Sequence, residues 1–354
     1  MSIPTEPIGS IPRPRELIEA TRAHAAGELS ETELERLQDE AVRDTIRRFE
    51  ETGSPVITDG EQAKPSFVTY PIEGLENLAP DGVVIPFADG HARRLPRLTA
   101  GPFRYATHAR TYLERAKRHA TRPLKQAVIS ASALSLLYPL DGVEGYSHDA
   151  FIADLVKEAE SDIRGALEAG AYNVQIDFTE ARLSVKLDPS KQLLRAFVDL
   201  INSVLDRFSQ EERKRIGVHT CPGGDQDSTH SADVDYAELL PTLFELKAGN
   251  FYVQLASEPD RPRVLPIIRG LLRPGQRVFV GVIDPIDPRV ESREDVADRV
   301  LEAVEYLGVD RLGTCDDCGF SPFGDDTSTT RDSAFAKIRA RVEGTRLAAE
   351  KLGL

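Results

Sequence analysis

The chain has 354 residues, is 40% hydrophobic and 29% charged, and carries a formal net charge of −14. That length holds one large α/β barrel or two smaller domains, and no run approaches the eighteen or so apolar residues of a membrane span. The start MSIPTEPIGSIPRP lacks the basic and apolar parts of a secretory signal, so we expect a cytoplasmic protein, and the acidity argues against a nucleic-acid face without pointing to a substrate.

Short β-branched runs alternate with segments of helical period, the rhythm of consecutive βα units. In chain order the predicted strands are 6–10, 54–60, 126–132, 173–178, 216–221, 251–256, 278–283 and 311–316. Predicted helices include 30–52, 147–169, 189–208, 236–248, 291–307 and 331–351. The first of these opens on Ser30 with Glu33 three residues on, a capping-box pattern, and Leu34, Leu37, Ala41, Ile46 and Phe49 form its apolar stripe. Helix 147–169 ends at Gly170, a suitable C-terminal stop. The segment 82–105 breaks the rhythm: two apolar runs flank an Asp-Gly turn, which predicts a β-hairpin inserted after the second unit. With no linker composition anywhere, the expectation is an α/β chain folded as one (β/α)8 TIM-barrel domain over residues 1–354, with a doubly wound open sheet as the alternative.

A barrel of this kind builds its site at the C-terminal ends of its strands. Those ends read Gly9-Ser10, Asp59-Gly60-Glu61, Ser130-Ala131-Ser132, Asp177, His219 with Cys221, Gln254 running to Glu258, Asp284, and Asp317-Cys318. The strand interiors are Val, Ile and Leu, so polar chemistry is concentrated at one end.

Three cysteines without a signal peptide do not suggest a disulfide framework. His219-Thr-Cys221 has the period of a strand, which points both side chains to one face. With Cys318 on another strand end, the set offers one imidazole and two thiolates, a combination that favours zinc over magnesium or manganese. Three protein ligands leave one coordination position open, as in catalytic sites. The alternative is a buried strand histidine and two inert thiols.

At Ile8-Gly9-Ser10, Asp59-Gly60-Glu61, Gln175-Ile176-Asp177, His219-Thr-Cys221 and Asp317-Cys318-Gly319 the sequence resembles the catalytic barrel of cobalamin-independent methionine synthase, over most of its length. The resemblance implies a zinc-dependent methyltransferase that methylates the thiol of homocysteine. In that family the metal set falls on His219, Cys221 and Cys318, and the amino-acid end of the substrate on Ser10, Glu61 and Asp177. Cys315 falls off the ligand position and is a neighbour that could be reactive.

Three departures stand out. There is no room for the second, N-terminal barrel of the long members. The place of the family's fourth ligand, a glutamate, reads VQLASE, leaving Gln254, Glu258 or none. The histidine that follows strand seven as a proton donor is absent, and Asp284 or Asp287 stands there; we take Asp284 as the catalytic acid. The methyl donor is then either a methyltetrahydrofolate or a methylcorrinoid, the latter brought by a corrinoid protein. Two other functions compete. One is thiol opening of an epoxide of the coenzyme M type, with Arg13, Lys64 or Arg182 on the sulfonate. The other is a non-catalytic zinc-stabilised barrel. His230, in the loop after Cys221, is either a substitute proton donor or a solvated loop residue.

Overall fold

The computed structural model describes residues 2–354. Six of the expected strands form one parallel sheet, and we number them by their place in the predicted series: strand three (Gln126–Ile129), four (Val174–Asp177), five (Ile216–Thr220), six (Asn250–Val253), seven (Arg277–Ile283) and eight (Leu312–Asp316). The first two predicted strands close the ring without forming ladders. Thr5 makes a single bridge to Thr314, Ile57 a single bridge to Leu124, and Ile11 N donates to the Gly60 carbonyl at 3.0 Å between them. Pro4, Pro7 and Pro55 explain the shortness, because each removes a ladder donor. The result is a (β/α)8 TIM barrel with two irregular staves.

Helices wrap the sheet and start where the serines and threonines indicate. Ser30, Ser147, Ser292 and Thr330 each accept a hydrogen bond from the third residue of the helix they cap. The box expected at Ser30 is only half made: Ser30 accepts from Glu33 N at 3.3 Å, but the Glu33 carboxylate is taken by Arg36. On the same helix (Glu31–Glu51) Ala41, Ile46 and Phe49 are buried, while Leu34 and Leu37 are half-buried and Val42 and Thr45 complete the stripe instead. Leu34 faces the cavity described below rather than the core. Helices Arg15–Ala25 and Ala109–Lys117 were not expected. No helix among the described residues is long and apolar enough to cross a membrane.

The lower barrel is plugged. Tyr252 stacks on Phe279 at 4.6 Å, beside Ile8 and Cys315. The Tyr252 hydroxyl donates to Glu6 at 2.6 Å, Asn173 donates to the other Glu6 oxygen at 2.8 Å, and the Lys125 ammonium sits 3.5 Å over the Tyr252 ring. Burial lowers the Lys125 pKa to about 8, against the pull of Glu6. With this layer filled, open space is left at the C-terminal mouth.

Segment 82–105 contains an antiparallel ribbon, Val84–Pro86 paired with Ala92–Arg94, turning at Asp89-Gly90, where Gly90 takes φ +96°. A second pair, Leu78–Ala79 with Arg97–Leu98, begins outside the expected window.

Candidate metal centre and substrate cavity

Strand register assembles the site. Asp177 on strand four lies opposite His219 on strand five, which lies opposite Tyr252 on strand six. The His219 Nδ1 sits 3.3 Å from the Tyr252 carbonyl, which can only accept, so the proton is on Nδ1 and the Nε2 lone pair faces inward. That Nε2 is buried and has no hydrogen-bond partner. Cys221 leaves the same strand on the same side, and its Sγ lies 3.2 Å from the Sγ of Cys318, which arrives from the loop after strand eight.

One donor atom from each of His219, Cys221 and Cys318 falls within 4.8 Å of the others. In a zinc tetrahedron such atoms stand ~3.3–3.8 Å apart, given bonds of ~2.0–2.3 Å, so about an ångström of side-chain adjustment separates this cluster from coordination. The donor chemistry fits a metal: an orphaned imidazole nitrogen beside two crowded thiols is hard to account for otherwise. Without a cation the Cys318 thiol is held well above its ordinary pKa, first by its hydrogen bond with Cys221 and then by burial. Gly223 N points at the Cys221 sulfur from 3.4 Å.

Neighbouring loops brace the cluster. Asp317 accepts at 2.7–2.8 Å from the backbone nitrogens of Leu255, Ala256 and Ser257 and from the Ser257 hydroxyl, tying the loop after strand six to the loop of Cys318. Burial still lifts its pKa to about 6. A Cβ on Gly281 would stand 1.7 Å from Asp317 Oδ1, so only glycine lets strand seven pass.

Arg93, on the ribbon, forks onto two carboxylates at once: Asp225 at 2.5 and 3.1 Å and Asp325 at 3.0 and 2.9 Å, above the Phe323 ring at 4.1 Å. Asp225 follows Cys221 by four residues and Asp325 follows Cys318 by seven, so one guanidinium ties both cysteine loops together.

A cavity of about 1060 Å³ opens beside the cluster. His219, Cys318, Ser10, Glu61, Asp177 and Glu180 form its inner wall, and helix Arg15–Ala25, helix Glu31–Glu51 and the ribbon form its outer part. Ser10 Oγ accepts from Ser321 N at 3.2 Å. Glu61 adopts φ +57°, a left-handed backbone that is rare for such a residue. It is held there by Asp59, which accepts from Glu61 N at 2.9 Å, and by Arg13, which donates to its carbonyl at 2.8 Å. The Glu61 carboxylate pairs with the buried Lys64 at 3.0 Å. Asp177 accepts from Gln175 Nε2 at 2.7 Å, and burial raises its pKa to about 6, opposed by His219.

Several expectations are corrected. Asp284 is not among the cavity-lining residues; its Oδ1 caps Ile286 N at 3.0 Å and its backbone is pinned by Glu291. Gln254 is occupied by Arg182 at 2.5 Å and Ser257 at 2.6 Å, and Glu258 turns to Asp260 N at 3.3 Å, so neither joins the cluster. Cys315 lies in the plugged barrel, its thiol pushed up by burial, and is not a reactive neighbour of the metal set. His230 is buried rather than solvated, lines the cavity, and has its pKa lowered to about 4 by burial. Arg13, Lys64 and Arg182 are each engaged by protein oxygens.

Glu180 was missed. It opens the short helix Glu180–Leu187 after strand four, and one of its oxygens accepts from Ser130 at 2.6 Å and Ser132 at 2.5 Å. Its other oxygen is buried without a partner. The signal was the pair of serines ending strand three, read only as polar strand ends.

Residues 3–343 match the family described as cobalamin-independent synthase, catalytic domain. Proteins named methionine synthase from Sulfurisphaera tokodaii and Sulfolobus acidocaldarius are 25% and 26% identical to the chain, with 99% of it and 94% and 93% of theirs covered. A B12-independent methionine synthase from Shewanella sp. W3-18-1, solved in complex with selenomethionine, superposes with a TM-score of 0.78 at 20% identity, covering 99% of both chains. The chain belongs to the cobalamin-independent synthase family and spans its catalytic domain.

Proposed function

We propose that the protein transfers a methyl group to the sulfur of homocysteine, giving methionine, with zinc held by His219, Cys221 and Cys318. The observation that carries this reading is the partnerless His219 Nε2 beside two thiols 3.2 Å apart, on the wall of a cavity that also presents carboxylates. Zinc in this site would hold the substrate sulfur as thiolate, worth about 2 kcal/mol at pH 7 over a free thiol of pKa ~8.5.

The chain's own residues supply the rest. Asp177 and Glu61 offer acceptors for the α-ammonium, and the Ser10 hydroxyl, whose lone pair is used by Ser321 N, keeps its proton to donate to the α-carboxylate. Gripping both ends of the amino acid fixes the sulfur beside His219 and leaves it one direction of attack, where orientation contributes up to ~7–11 kcal/mol. The cavity, at about 1060 Å³, exceeds what one small amino acid fills and extends outward under the ribbon, which suits a second, larger methyl donor.

The epoxide reading is disfavoured because Arg13, Lys64 and Arg182 are already hydrogen-bonded to protein oxygens and the inner wall presents carboxylates that would repel a sulfonate. A closed structural zinc is disfavoured because only three suitable groups converge among the described residues.

The test is direct. Zinc-loaded protein is given homocysteine with methyltetrahydrofolate or with methylcobalamin, and methionine is measured. Product from at least one donor is expected; none from either rejects the reading.

A further inference from the structure

His230 lines the cavity, yet neither the metal set nor the grip on the amino acid uses it. Its protonation can be read from its partners. The Ser231 hydroxyl gives its one proton to the Pro222 carbonyl at 3.0 Å, a group that can only accept. The same hydroxyl oxygen lies 2.9 Å from His230 Nδ1, so it accepts there and Nδ1 carries the proton. Burial keeps the ring neutral, with the charges of Lys186 and Arg182 adding to the effect and Asp233 opposing it. In a neutral ring with the proton on Nδ1, Nε2 holds a bare lone pair. Among the described residues no protein group bonds to that Nε2. The residue is only 7% exposed, but Nε2 is not sealed off as His219 Nε2 is, and the space open to it is the cavity.

The ring's seat is built. His230 N donates to the Gly223 carbonyl at 3.2 Å, and a Cβ on Gly223 would stand 1.7 Å from Nε2, so only glycine leaves room for the ring. From the ribbon, Phe87 meets the ring edge at 5.5 Å and Ala88 N donates to the Thr229 carbonyl at 3.0 Å. The lone pair therefore stands where the ribbon crosses the cavity, apart from the metal set. From this geometry we infer that His230 Nε2, fixed as an acceptor by Ser231 and Gly223, binds a neutral N–H of the methyl donor and helps to choose and orient that second substrate. The inference rests on the methyl transfer proposed above. Lys186, which donates to the His230 carbonyl at 3.1 Å, and Arg182, which reaches the Val234 carbonyl at 2.6 Å, make this corner unfavourable for the α-ammonium of homocysteine, so the partner is an uncharged donor group. A site that offers a fixed acceptor discriminates against a ligand lacking the matching N–H, because the acceptor is then left unpaired.

The test compares zinc-loaded wild type, His230→Phe and His230→Gln with homocysteine and either N5-methyltetrahydrofolate or methylcobalamin, both of which carry neutral amide-type N–H groups. Phenylalanine keeps an aromatic plate beside Phe87 and removes the acceptor, whereas glutamine keeps an acceptor. With whichever donor the wild type uses, His230→Phe should raise the donor's KM about tenfold or more, leave the KM for homocysteine and the zinc content within twofold, and lose most of that defect when glutamine replaces phenylalanine. Nitrogen-15 spectra of histidine-labelled wild type at pH 7 give a second readout, with the His230 signals assigned by their absence from His230→Gln. They should show Nδ1 protonated and Nε2 bare, and the Nε2 signal should move when the methyl donor is added without homocysteine. An unchanged donor KM in His230→Phe, a defect that glutamine does not relieve, a rise in the KM for homocysteine instead, or a protonated Nε2 overturns the proposal. Methionine from neither donor in wild type rejects homocysteine methylation itself, and the response of Nε2 to methyltetrahydrofolate or methylcobalamin alone then still decides whether His230 binds either.

Discussion

Replacing Glu180 by glutamine should change how stability depends on pH, and the structure sets the size of the effect. Glu180 is raised from an ordinary 4.5 to about 7 in the fold, with burial the first cause. The native state therefore keeps its proton at pH values where the unfolded chain has lost it. Such a group supports the fold fully below the unfolded pKa, and its contribution is lost as pH rises through the folded one. Between pH 5 and pH 8 the wild type should lose about 2.5 kcal/mol through this residue. Glutamine keeps the acceptor for Ser130 and Ser132 but does not titrate. At an unfolding entropy of ~2 cal/mol/K per residue, the Tm of Glu180→Gln relative to wild type should rise by roughly 3 °C from pH 5 to pH 8. The assay is paired thermal unfolding at equal metal loading and scan rate across that range. A Tm difference that stays constant with pH would show that Glu180 is not held neutral in the fold, and would refute the reasoning.

Other perturbations have equally definite outcomes. Arg93→Ala frees both cysteine loops and should speed the loss of metal to a chelator by about tenfold or more, with Arg93→Lys intermediate, because support of a ligand shell is worth ~10–100-fold in affinity; unchanged release would show that the ribbon does not steady the cluster. Gly281→Ala forces a Cβ onto Asp317 Oδ1 and should destabilise the protein by about 3 kcal/mol, read by denaturant unfolding, whereas a wild-type midpoint would contradict the packing. Asp177→Asn should raise the KM for homocysteine ~10–100-fold, the worth of a charge-assisted hydrogen bond of about 1.5–3 kcal/mol, while leaving metal content near wild type; loss of metal with no change in KM would place Asp177 with the metal set instead.

How much of this was legible in the sequence depends on the distance over which each signal acts. The barrel rhythm is local and legible: strands three, four, five and eight fall within the predicted runs, strands six and seven begin one residue ahead of theirs, at Asn250 and Arg277, and Gly170 follows the end of its helix as expected. The first two staves lose their ladders to Pro4, Pro7 and Pro55, which interrupt otherwise strand-like runs. His219 and Cys221 share a strand face by their spacing, but only the closed ring brings Cys318 to them from ninety-seven residues away. Glu180 and Asp284 show the limit. Both are acids just past a strand, yet one turns into the cavity and the other caps its own loop, a choice made by Ser130 and Ser132 on one side and by Ile286 N and Glu291 on the other. Gln254 next to Arg182, and His230 under Phe87, are likewise settled by tertiary partners that no local pattern announces.

The central claim is that one imidazole and two thiolates hold zinc with a place left for the substrate's sulfur. Zinc-edge X-ray absorption on the purified protein, before and after homocysteine, tests it most directly. The account predicts two sulfur neighbours at rest and three with homocysteine bound, the third lost again when homoserine replaces it. A sulfur count that does not respond to homocysteine, or a protein that retains no zinc, would contradict it.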